Sequence, residues 1–593
     1  MTKSLFFSLL ATPVLFAMAD INAIRAADPR NIANGRRIPA LNYVDQPYVV
    51  VNAQGHWVCV ATTGKGLEGQ PGQHIISTVS ENQGGDWSEP VAIEPDTGPE
   101  ASWATPLITP GGRIYVFYVF NGEEVVTLPN SERRIRSDSH GWYVFRYSDD
   151  GGKSWSAQRY RVPIRTTAVD RRNPWRGEVC HFWSIDKPKV QDGTVYLAIT
   201  KLGKFFMEDG EGWVIASQNL LTENDPDKIA FNLLPEGDQG IKNPALGSVQ
   251  EEFNLVPTGG NALSAVFRTA TGTAGVSYSR DNGVNWSKPE PMTYTPGGRV
   301  IKNPRACPKL FKTADGKYLL WYHHHGGKSW SGRNPAFISG GTLGEDGIIR
   351  WSEPELLLFD PNPAIRISYP DLIEQDGQYW ITETQKSIAR VHRIDPTLLQ
   401  GLWNQATLNT VCTNGLSLEK LDLGGAEAHP DVQKDFGALT FGGFSVELQT
   451  DLTGVGAGTT LINTMNDAGR GVRVCLAELA SKPVMKIEIS DGFRSAYWCT
   501  DPGALASAVN HAVFVCDFSA GIVMSIVNGV FCDGGETRTQ GWGRLPGDFN
   551  SATGNYQATV APSVKAVRLY NRPIRVSEAI GNFRSLQHEK PRQ

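Results

Sequence analysis

Six segments between residues 45 and 396 begin with an ionisable or phenolic side chain that leads into an apolar strand. The starting residues are Asp45, Glu100, Asp186, Glu252, Arg305 and Tyr369. Carboxylates exchange protons, an arginine holds an anionic group through paired hydrogen bonds, and a phenol beside a carboxylate can act as a nucleophile. If the fold brings these strand starts together, they form a charged cluster suited to acid–base or nucleophilic chemistry. The alternative interpretation is that they only cap strands and satisfy backbone groups.

A repeated template indicates the architecture that positions these residues. The pattern Ser-x-Asp/Asn-x-Gly-x-x-Trp occurs at 80–87, 148–155 and 279–286. Its glycine permits a positive φ, its Asp or Asn caps the amides of a turn, and its Trp covers that turn. Together with six strand starts in units of about 50 to 70 residues, the template predicts an all-β fold with a six-bladed β-propeller over residues 30–396. The innermost strand of each blade lines the axis, so the strand starts share one mouth.

Length, charge and the N-terminal stretch limit the class of protein. At 593 residues the chain is too long for one domain, and its net charge of −5 offers no basic face for nucleic acid. Residues 1–19 combine Lys3, an apolar run and the small-x-small site Ala17-Met18-Ala19, which predicts a signal peptide. We therefore expect a secreted or periplasmic bacterial protein, with a membrane anchor as the alternative. No later stretch is long and apolar enough for a membrane span.

The cysteines and histidines do not form a metal-binding pattern. There are eight cysteines, and neither Cys-x-x-Cys nor His-x-x-x-His occurs. His323, His324 and His325 are consecutive, but neighbours on a strand point to opposite faces and cannot easily share one ion. We expect no metal and no cofactor, and the cysteine spacing fixes no disulfide pairing.

The pattern changes after Asp395, where the template no longer occurs. We predict a linker over 397–412, followed by alternating strands over 413–590 that indicate a β-sandwich of the jelly-roll type. Its last strand, ending at Arg572, resembles those of laminin-G or concanavalin-like domains. That resemblance implies glycan binding, and a structural appendage is the alternative.

The repeated boxes, and with them the whole predicted propeller, are similar to the Asp-box repeats of bacterial sialidases. The resemblance implies a site in which three arginines hold the carboxylate of sialic acid, a Tyr is the nucleophile, a Glu activates it and an Asp is the acid/base. Glu252 followed by Arg268 and then a box resembles the segment with the base and the second arginine, and Glu251 competes with Glu252. Arg333 stands where the third arginine would be, and Tyr369 resembles the nucleophile.

Two parts of the implied site have no direct match. Arg37, in Arg-Ile-Pro, resembles the first arginine, yet Asp45 holds the corresponding place before the first Gly turn. Either Arg37 reaches the site from an earlier segment, or Asp45 replaces it. The usual acid/base Asp is also absent. Glu68 is the preferred substitute, since a partly buried Glu can hold a raised pKa, and His74 and Asp45 are the alternatives.

Further residues are expected at the mouth. His181 and Trp183 precede the third blade and are candidate sugar contacts, and Glu383 and Lys386 are expected near the same opening. Packing is the alternative role for each of them.

The sequence thus predicts an exo-α-sialidase, a retaining glycoside hydrolase that releases terminal sialic acid from glycoconjugates such as mucin glycans. A neutral phenol avoids the repulsion that a carboxylate nucleophile would meet at the substrate's carboxylate-bearing anomeric carbon. Sialylated glycans or glycoproteins are the expected partners. The alternatives are a propeller hydrolase or lyase for another acidic or deoxy sugar (a uronate or rhamnose cap), the lyase using His181, Tyr369 and Arg268, or a non-catalytic glycan-binding protein.

Overall fold

The computed structural model describes residues 20–205, 208–247, 252–423, 425–434, 436–439, 442–547, 549 and 551–588. The predicted signal peptide (1–19) and Glu251 lie outside the described residues. The α-helices in the described part are α1 (Ile21–Ala27), α2 (Ala168–Arg172), α3 (Pro396–Asn404) and α4 (Val576–His588), with 3₁₀ turns at Ile32–Asn34 and Pro226–Lys228. None of the helices in this part of the chain is long and apolar enough to cross a bilayer.

Strands make up the rest of the regular structure, and the first half of the propeller contains three blades. After β1 (Arg36–Ile38), blade 1 has β2 (Tyr43–Val51), β3 (Trp57–Gly64), β4 (His74–Ser80) and β5 (Val91–Ala92). Blade 2 has β6 (Ala101–Ile108), β7 (Ile114–Phe120), β8 (His140–Ser148) and β9 (Tyr160–Arg161). The bridging strand β10 (Cys180–Trp183) leads to blade 3, with β11 (Lys189–Gln191), β12 (Thr194–Lys204), β13 (Glu208–Ser217) and β14 (Asn232–Leu234).

The second half of the propeller contains the other three blades. Blade 4 has β15 (Phe253–Gly259), β16 (Ala262–Arg268), β17 (Ala274–Ser279) and β18 (Glu290–Pro291). Blade 5 has β19 (Lys309–Lys312), β20 (Tyr318–Tyr322), β21 (Ala336–Leu343), β22 (Ile349–Trp351) and β23 (Glu355–Leu358). Blade 6 has β24 (Leu372–Gln375), β25 (Gln378–Thr384) and β26 (Ala389–Ile394), and its outer edge pairs with β1. The predicted all-β, six-bladed propeller is confirmed.

Apolar layers between neighbouring blades hold the ring together. Trp57 of blade 1 packs edge-on against Trp380 of blade 6, with ring centroids 5.1 Å apart. Val60 of blade 1 and Val116 of blade 2 are fully buried in the next layer. Burying such side chains is the main favourable contribution to the stability of each blade pair. β10 adds a second connection, because it pairs with both β8 and β12 and joins blades 2 and 3 into one sheet.

The repeated boxes are turns, and the second box also ties blade 2 to blade 1. In the second box the Ser148 hydroxyl accepts a hydrogen bond from the Gly152 amide at 2.8 Å, and the Asp150 carboxylate accepts one from the Ser154 amide at 2.9 Å. The Trp155 indole donates to the Ser77 hydroxyl of blade 1 at 2.9 Å. The boxes therefore have a structural role.

A buried group of opposite charges lies at the starts of the innermost strands. Asp186, before blade 3, accepts from Lys189 at 2.8 Å and forms an ion pair with Lys309 of blade 5 at 3.0 Å. It also accepts from the Leu255 amide of blade 4 at 3.0 Å. Asp186 therefore cross-links three blades from the axis.

Asp371 has the corresponding place in blade 6. Its carboxylate accepts from the Val49 amide of blade 1 at 2.7 Å and from Lys187 at 2.9 Å. Some polar residues near the strand starts, such as Asp186 and Asp371, thus connect blades at the axis. Others belong to the candidate site.

The C-terminal part is a β-sandwich, as predicted. Its strands are β27 (Leu416–Lys420), β28 (Gly443–Asp451), β29 (Thr460–Asn463), β30 (Arg470–Leu479), β31 (Lys482–Asp491), β32 (Ser495–Cys499), β33 (Val509–Asp517), β34 (Ile522–Val527), β35 (Val530–Phe531), β36 (Trp542–Arg544), β37 (Thr559–Val560) and β38 (Val564–Tyr570). One sheet has the order β27-β38-β28-β33-β34-β35, with β36 on β34, and the other β32-β31-β30-β29-β37. The linker and domain boundaries and the laminin-G likeness stay predictions.

The sandwich docks on the propeller through polar contacts and a shared apolar layer. Glu355 of blade 5 accepts hydrogen bonds from the Val576 and Ser577 amides at the start of α4, at 3.0 and 2.7 Å. At the other end of the chain, Arg25 of α1 donates to the Ser519 carbonyl of the sandwich at 3.1 Å. Residues that precede the propeller therefore rest on the domain that follows it.

Asp186→Asn tests the charged axis. The change leaves the buried Lys309 and the partly buried Lys189 without their carboxylate, and we expect the free energy of unfolding to fall by about 3–5 kcal/mol, as when one partner of a buried ion pair is removed. Chemical denaturation followed by tryptophan fluorescence measures the shift. Asp346→Asn is the control, because Asp346 forms its ion pair with Arg350 on the exposed surface. Equal denaturation midpoints for the two variants would contradict the role of Asp186.

Candidate active site

A phenol, a carboxylate and a guanidinium from blades 4 and 6 meet on the propeller axis. The Tyr369 hydroxyl donates to Glu252 Oε1 at 2.6 Å, and Arg268 Nη1 lies 2.9 Å from the same oxygen. All three side chains are buried, and Tyr369 is 3% exposed. The structure therefore brings together three residues that the sequence placed in one site.

Strand register explains why Glu252 and Arg268 are neighbours. Glu252 directly precedes β15 and Arg268 ends β16, and the Arg268 amide donates to the Glu252 carbonyl at 3.2 Å. Tyr369 lies before β24 in a left-handed backbone conformation, with φ at 48°. For a residue other than glycine this conformation costs about 1–2 kcal/mol, and such strain persists only where surrounding contacts hold it.

The phenol is protonated in the resting site. Burial, followed by the charge of Glu252, raises the pKa of Tyr369 well above its ordinary value of 10. The hydroxyl proton is directed at Glu252, so the carboxylate is placed to take it as the oxygen forms a bond. This is the geometry of a nucleophile with its base.

Arg333 lies beside the nucleophile, in a segment that the sandwich contacts. Its Nη1 donates to the Ser368 hydroxyl at 3.2 Å and its Nε to the Trp330 carbonyl at 3.0 Å. Arg544 of β36 donates to the backbone oxygen of Asn334 at 2.7 Å. The sandwich thus supports the segment that carries Arg333, and the structure places this predicted residue next to Tyr369.

Lys386 and Asp45 form the other side of the site. Lys386 Nζ lies 4.4 Å from the centroid of the Tyr369 ring and 2.5 Å from Asp45 Oδ2. The Tyr43 hydroxyl donates to the same Asp45 oxygen at 3.0 Å. Lys386 supplies a cation over the face of the phenol ring. Its own backbone is in the left-handed region, with φ at 73°. Lys386 and Asp45 therefore both lie at the site, where the sequence placed them.

Glu68 has surroundings that disagree with its predicted role as general acid. Its Oε1 lies 3.4 Å from Lys386 Nζ and 3.4 Å from Arg136 Nη2. Burial alone would raise the pKa of Glu68, but the charges of Lys386, Arg136 and further arginines outweigh burial and lower it to about 2. A carboxyl group with this pKa is ionised at neutral pH and has no proton to give.

Asp45 fits the acid role better than the two other candidates. It is fully buried, and burial raises its pKa although Lys386 acts in the opposite direction, with the charge of Glu68 adding to the rise. His74, the other alternative, is buried at the start of β4 with Nδ1 3.0 Å from the Gly72 carbonyl oxygen.

The predicted sugar contacts His181 and Trp183 are buried in β10. Trp183 stacks on Trp103 with ring centroids 4.4 Å apart, and Arg136 lies over it at 5.3 Å. His181 Nδ1 lies 2.9 Å from the Ser139 carbonyl oxygen, and burial lowers its pKa to about 3. His181 is thus a neutral core residue, and Trp183 forms a layer beneath Arg136. Neither is presented to a ligand, because both side chains are buried.

The structure does not bring Arg37 to this cluster. Arg37 is exposed on β1, the outermost strand of blade 6, opposite Arg390, whereas Tyr369 precedes the innermost strand. Glu383 is also directed away, since its carboxylate lies 3.8 Å from Arg390 and 3.4 Å from His392. Closure of the ring by β1 at the outer edge of blade 6 accounts for the placement of Arg37.

Arg136 is a site residue that the sequence reasoning missed. Its side chain donates to Asp138 at 2.6 Å and reaches Glu68. The stretch 132–136 contains three arginines and lies outside the repeated boxes. This cluster of arginines is the sequence feature from which a cation at the mouth could have been predicted.

The consecutive histidines have separate surroundings. His323 Nδ1 lies 3.2 Å from the Pro335 carbonyl oxygen, and His325 Nε2 lies 2.7 Å from that of Gly332. His324 packs edge-on against Phe531 of the sandwich, with ring centroids 4.8 Å apart. His324 and His325 thus pack between blade 5 and the sandwich, where His325 contacts Trp542, and His323 packs against Trp321 within blade 5.

Residues 55–381 match the BNR repeat-like domain family, and the match covers more than half of the chain. The chain belongs to this family. The match supports the predicted relationship to the sialidase-like superfamily. None of the curated proteins compared with the chain matches it.

Solved structures similar to the chain include sialidases. The NanB sialidase of Streptococcus pneumoniae is 12% identical, with a TM-score of 0.44, over 60% of this chain and 69% of that one. Trypanosoma rangeli sialidase is 13% identical, with a TM-score of 0.41, over 92% of this chain and 94% of that one. A protein of unknown function from Dyadobacter fermentans is 14% identical, with a TM-score of 0.43, over 60% and 97%.

Lys386→Met tests the pairing of Lys386 with Asp45. Without the cation, the pKa of buried Asp45 rises further above its unfolded value, so the folded state binds more protons and stability falls as pH rises. We expect the loss in Tm to be largest near about pH 8 and to shrink toward about pH 5. Differential scanning calorimetry across this range measures it.

Lys65→Met is the control, because Lys65 forms its ion pair with Asp96 at the surface, at 2.9 Å. A loss in Tm that is the same at every pH, or equal in the two variants, would contradict the buried pair.

Proposed function

We propose that the protein is an exo-α-sialidase, a retaining glycoside hydrolase that releases terminal sialic acid from sialylated glycans or glycoproteins. The observation that carries the proposal is the 2.6 Å hydrogen bond from the Tyr369 hydroxyl to Glu252, in a site that also holds Arg268 and Arg333. A phenol with its own base beside several cations suits an anomeric carbon that carries a carboxylate.

In the first step of the proposed reaction, the Tyr369 oxygen attacks the anomeric carbon while Glu252 takes the phenol proton. The bond to the leaving oxygen breaks as Asp45 donates a proton to it. A glycosyl–tyrosine intermediate forms, and Arg333 and Lys386 are the groups placed to hold the substrate carboxylate through charged hydrogen bonds.

In the second step, water attacks the anomeric carbon with Asp45 as its base, and the bond to Tyr369 breaks. Glu252 returns the proton to the phenolate. Two displacements at the same carbon retain the configuration of the released sugar.

The lyase alternative required His181 beside Tyr369 and Arg268. His181 contacts Ser139, His140 and Trp175. It is therefore not positioned as a base beside Tyr369, and the arrangement favours hydrolysis over elimination. The proposal includes a secreted or periplasmic location, which follows from the predicted signal peptide at residues 1–19.

Tyr369→Phe tests the nucleophile. The change removes one hydroxyl from a packed ring, so we expect folding to be retained and sialic acid release to fall by at least about 100-fold. Release from sialyl-lactose and mucin measures it. Tyr379→Phe is the matched control, since the Tyr379 hydroxyl contacts Glu374 on β24 at 3.4 Å, outside the cluster. Full activity in Tyr369→Phe would refute the assignment.

Asp45→Asn tests the acid. A poor leaving group needs protonation, whereas an activated aryl group leaves without it. We expect sialyl-lactose hydrolysis to fall by about 100-fold or more and hydrolysis of a nitrophenyl sialoside to fall much less. The ratio of kcat/KM for the two substrates is the measurement, and an equal loss on both would argue against Asp45 as the acid.

A further inference from the structure

Glu68 belongs to a loop that lies over the cations of the site. Residues 65–73 connect β3 to β4, and loop 65–72 is the part of this connection that precedes the buried Gln73. The side chains of Glu68 and Arg136 are 24% and 19% exposed, while Tyr369 is 3% exposed. The opening of the site is therefore on the side of Glu68, and this loop covers the way to the phenol.

The Glu68 carboxylate is a secondary partner of both cations that it touches. Lys386 has a closer carboxylate in Asp45, at 2.5 Å against 3.4 Å for Glu68. Arg136 has a closer one in Asp138, at 2.6 Å against 3.4 Å for Glu68. Each cation keeps its shorter ion pair if Glu68 leaves, so displacement of Glu68 leaves neither cation unpaired.

Two glycines and an exposed tip shape this loop. Gly69 has φ at 75° and Gly72 has φ at 92°, conformations that suit glycine. A Cβ at Gly69 would lie 2.9 Å from the Arg136 Cβ, so the missing side chain allows the loop to approach Arg136. Leu67 at the tip is 63% exposed, so few apolar contacts hold the loop down.

We propose that Glu68 is a gating and specificity-determining residue whose carboxylate occupies the anion position of the site and is displaced, with loop 65–72, when an acidic sugar binds. The inference rests on the proposed function, because the incoming group is the carboxylate of the substrate. A neutral sugar has no charge to exchange for that of Glu68, so the exchange selects anionic sugars over neutral ones.

Glu68→Gln tests the gate, because it removes the charge and keeps the shape. Lys65→Met is the control on the same loop. We expect faster hydrogen exchange at the amides of 66–72 in Glu68→Gln and about tenfold tighter binding of sulfate, a small anion that requires no sugar recognition. Exchange is followed by mass spectrometry and sulfate binding by tryptophan fluorescence. The gain in sulfate affinity should disappear in the Glu68→Gln/Lys386→Met double variant.

Unchanged loop exchange, or sulfate binding that is equal or weaker in Glu68→Gln, would overturn the gate. Calorimetry with N-acetylneuraminate separates the gate from the proposed function. Tighter binding of both anions to Glu68→Gln supports both. Tighter sulfate binding without binding of N-acetylneuraminate to any variant supports the gate and overturns the sialidase proposal.

Discussion

Opposite charges held out of water on the propeller axis fix the position of everything else. Asp186 binds two lysine side chains and Asp371 binds one, and each carboxylate also accepts a hydrogen bond from one backbone amide of another blade. Removal of one partner would leave the other buried and uncompensated, so these contacts resist any change in the mutual register of the blades. Glu252 lies three residues before Leu255, whose amide is bound by Asp186, and Tyr369 lies two residues before Asp371. The nucleophile and its base are thus positioned by the same contacts that set the ring.

The parts of the site that were predictable from sequence depend on local strand geometry. Glu252 and Arg268 flank one hairpin, so antiparallel pairing alone makes them neighbours, and the repeated blades bring Tyr369 to the same axis. The fold class was predictable for a similar reason, since each box encodes its own turn with its own Ser, Asp and Gly.

The parts that failed depend on how distant segments pair. The outer position of Arg37 is decided by β1 joining the far edge of blade 6, and the burial of His181 by β10 pairing with two blades. Neither pairing can be predicted from the local pattern of residues. The ionised state of Glu68 depends on Arg136 and Lys386, which come from two other blades. The protonation state of Glu68 therefore could not be predicted from the sequence of its own loop.

The docking of α1 on the sandwich has a consequence for how the chain folds. Residues 20–38 have long-range partners in blades 5 and 6 and in the C-terminal domain, among them Phe359 for Ile32, Ser519 for Arg25 and Asp517 for Arg30. A polypeptide made from its N-terminus cannot complete these contacts until nearly all of it is available. We therefore expect the ring to close late, because pairing over such sequence separations slows folding.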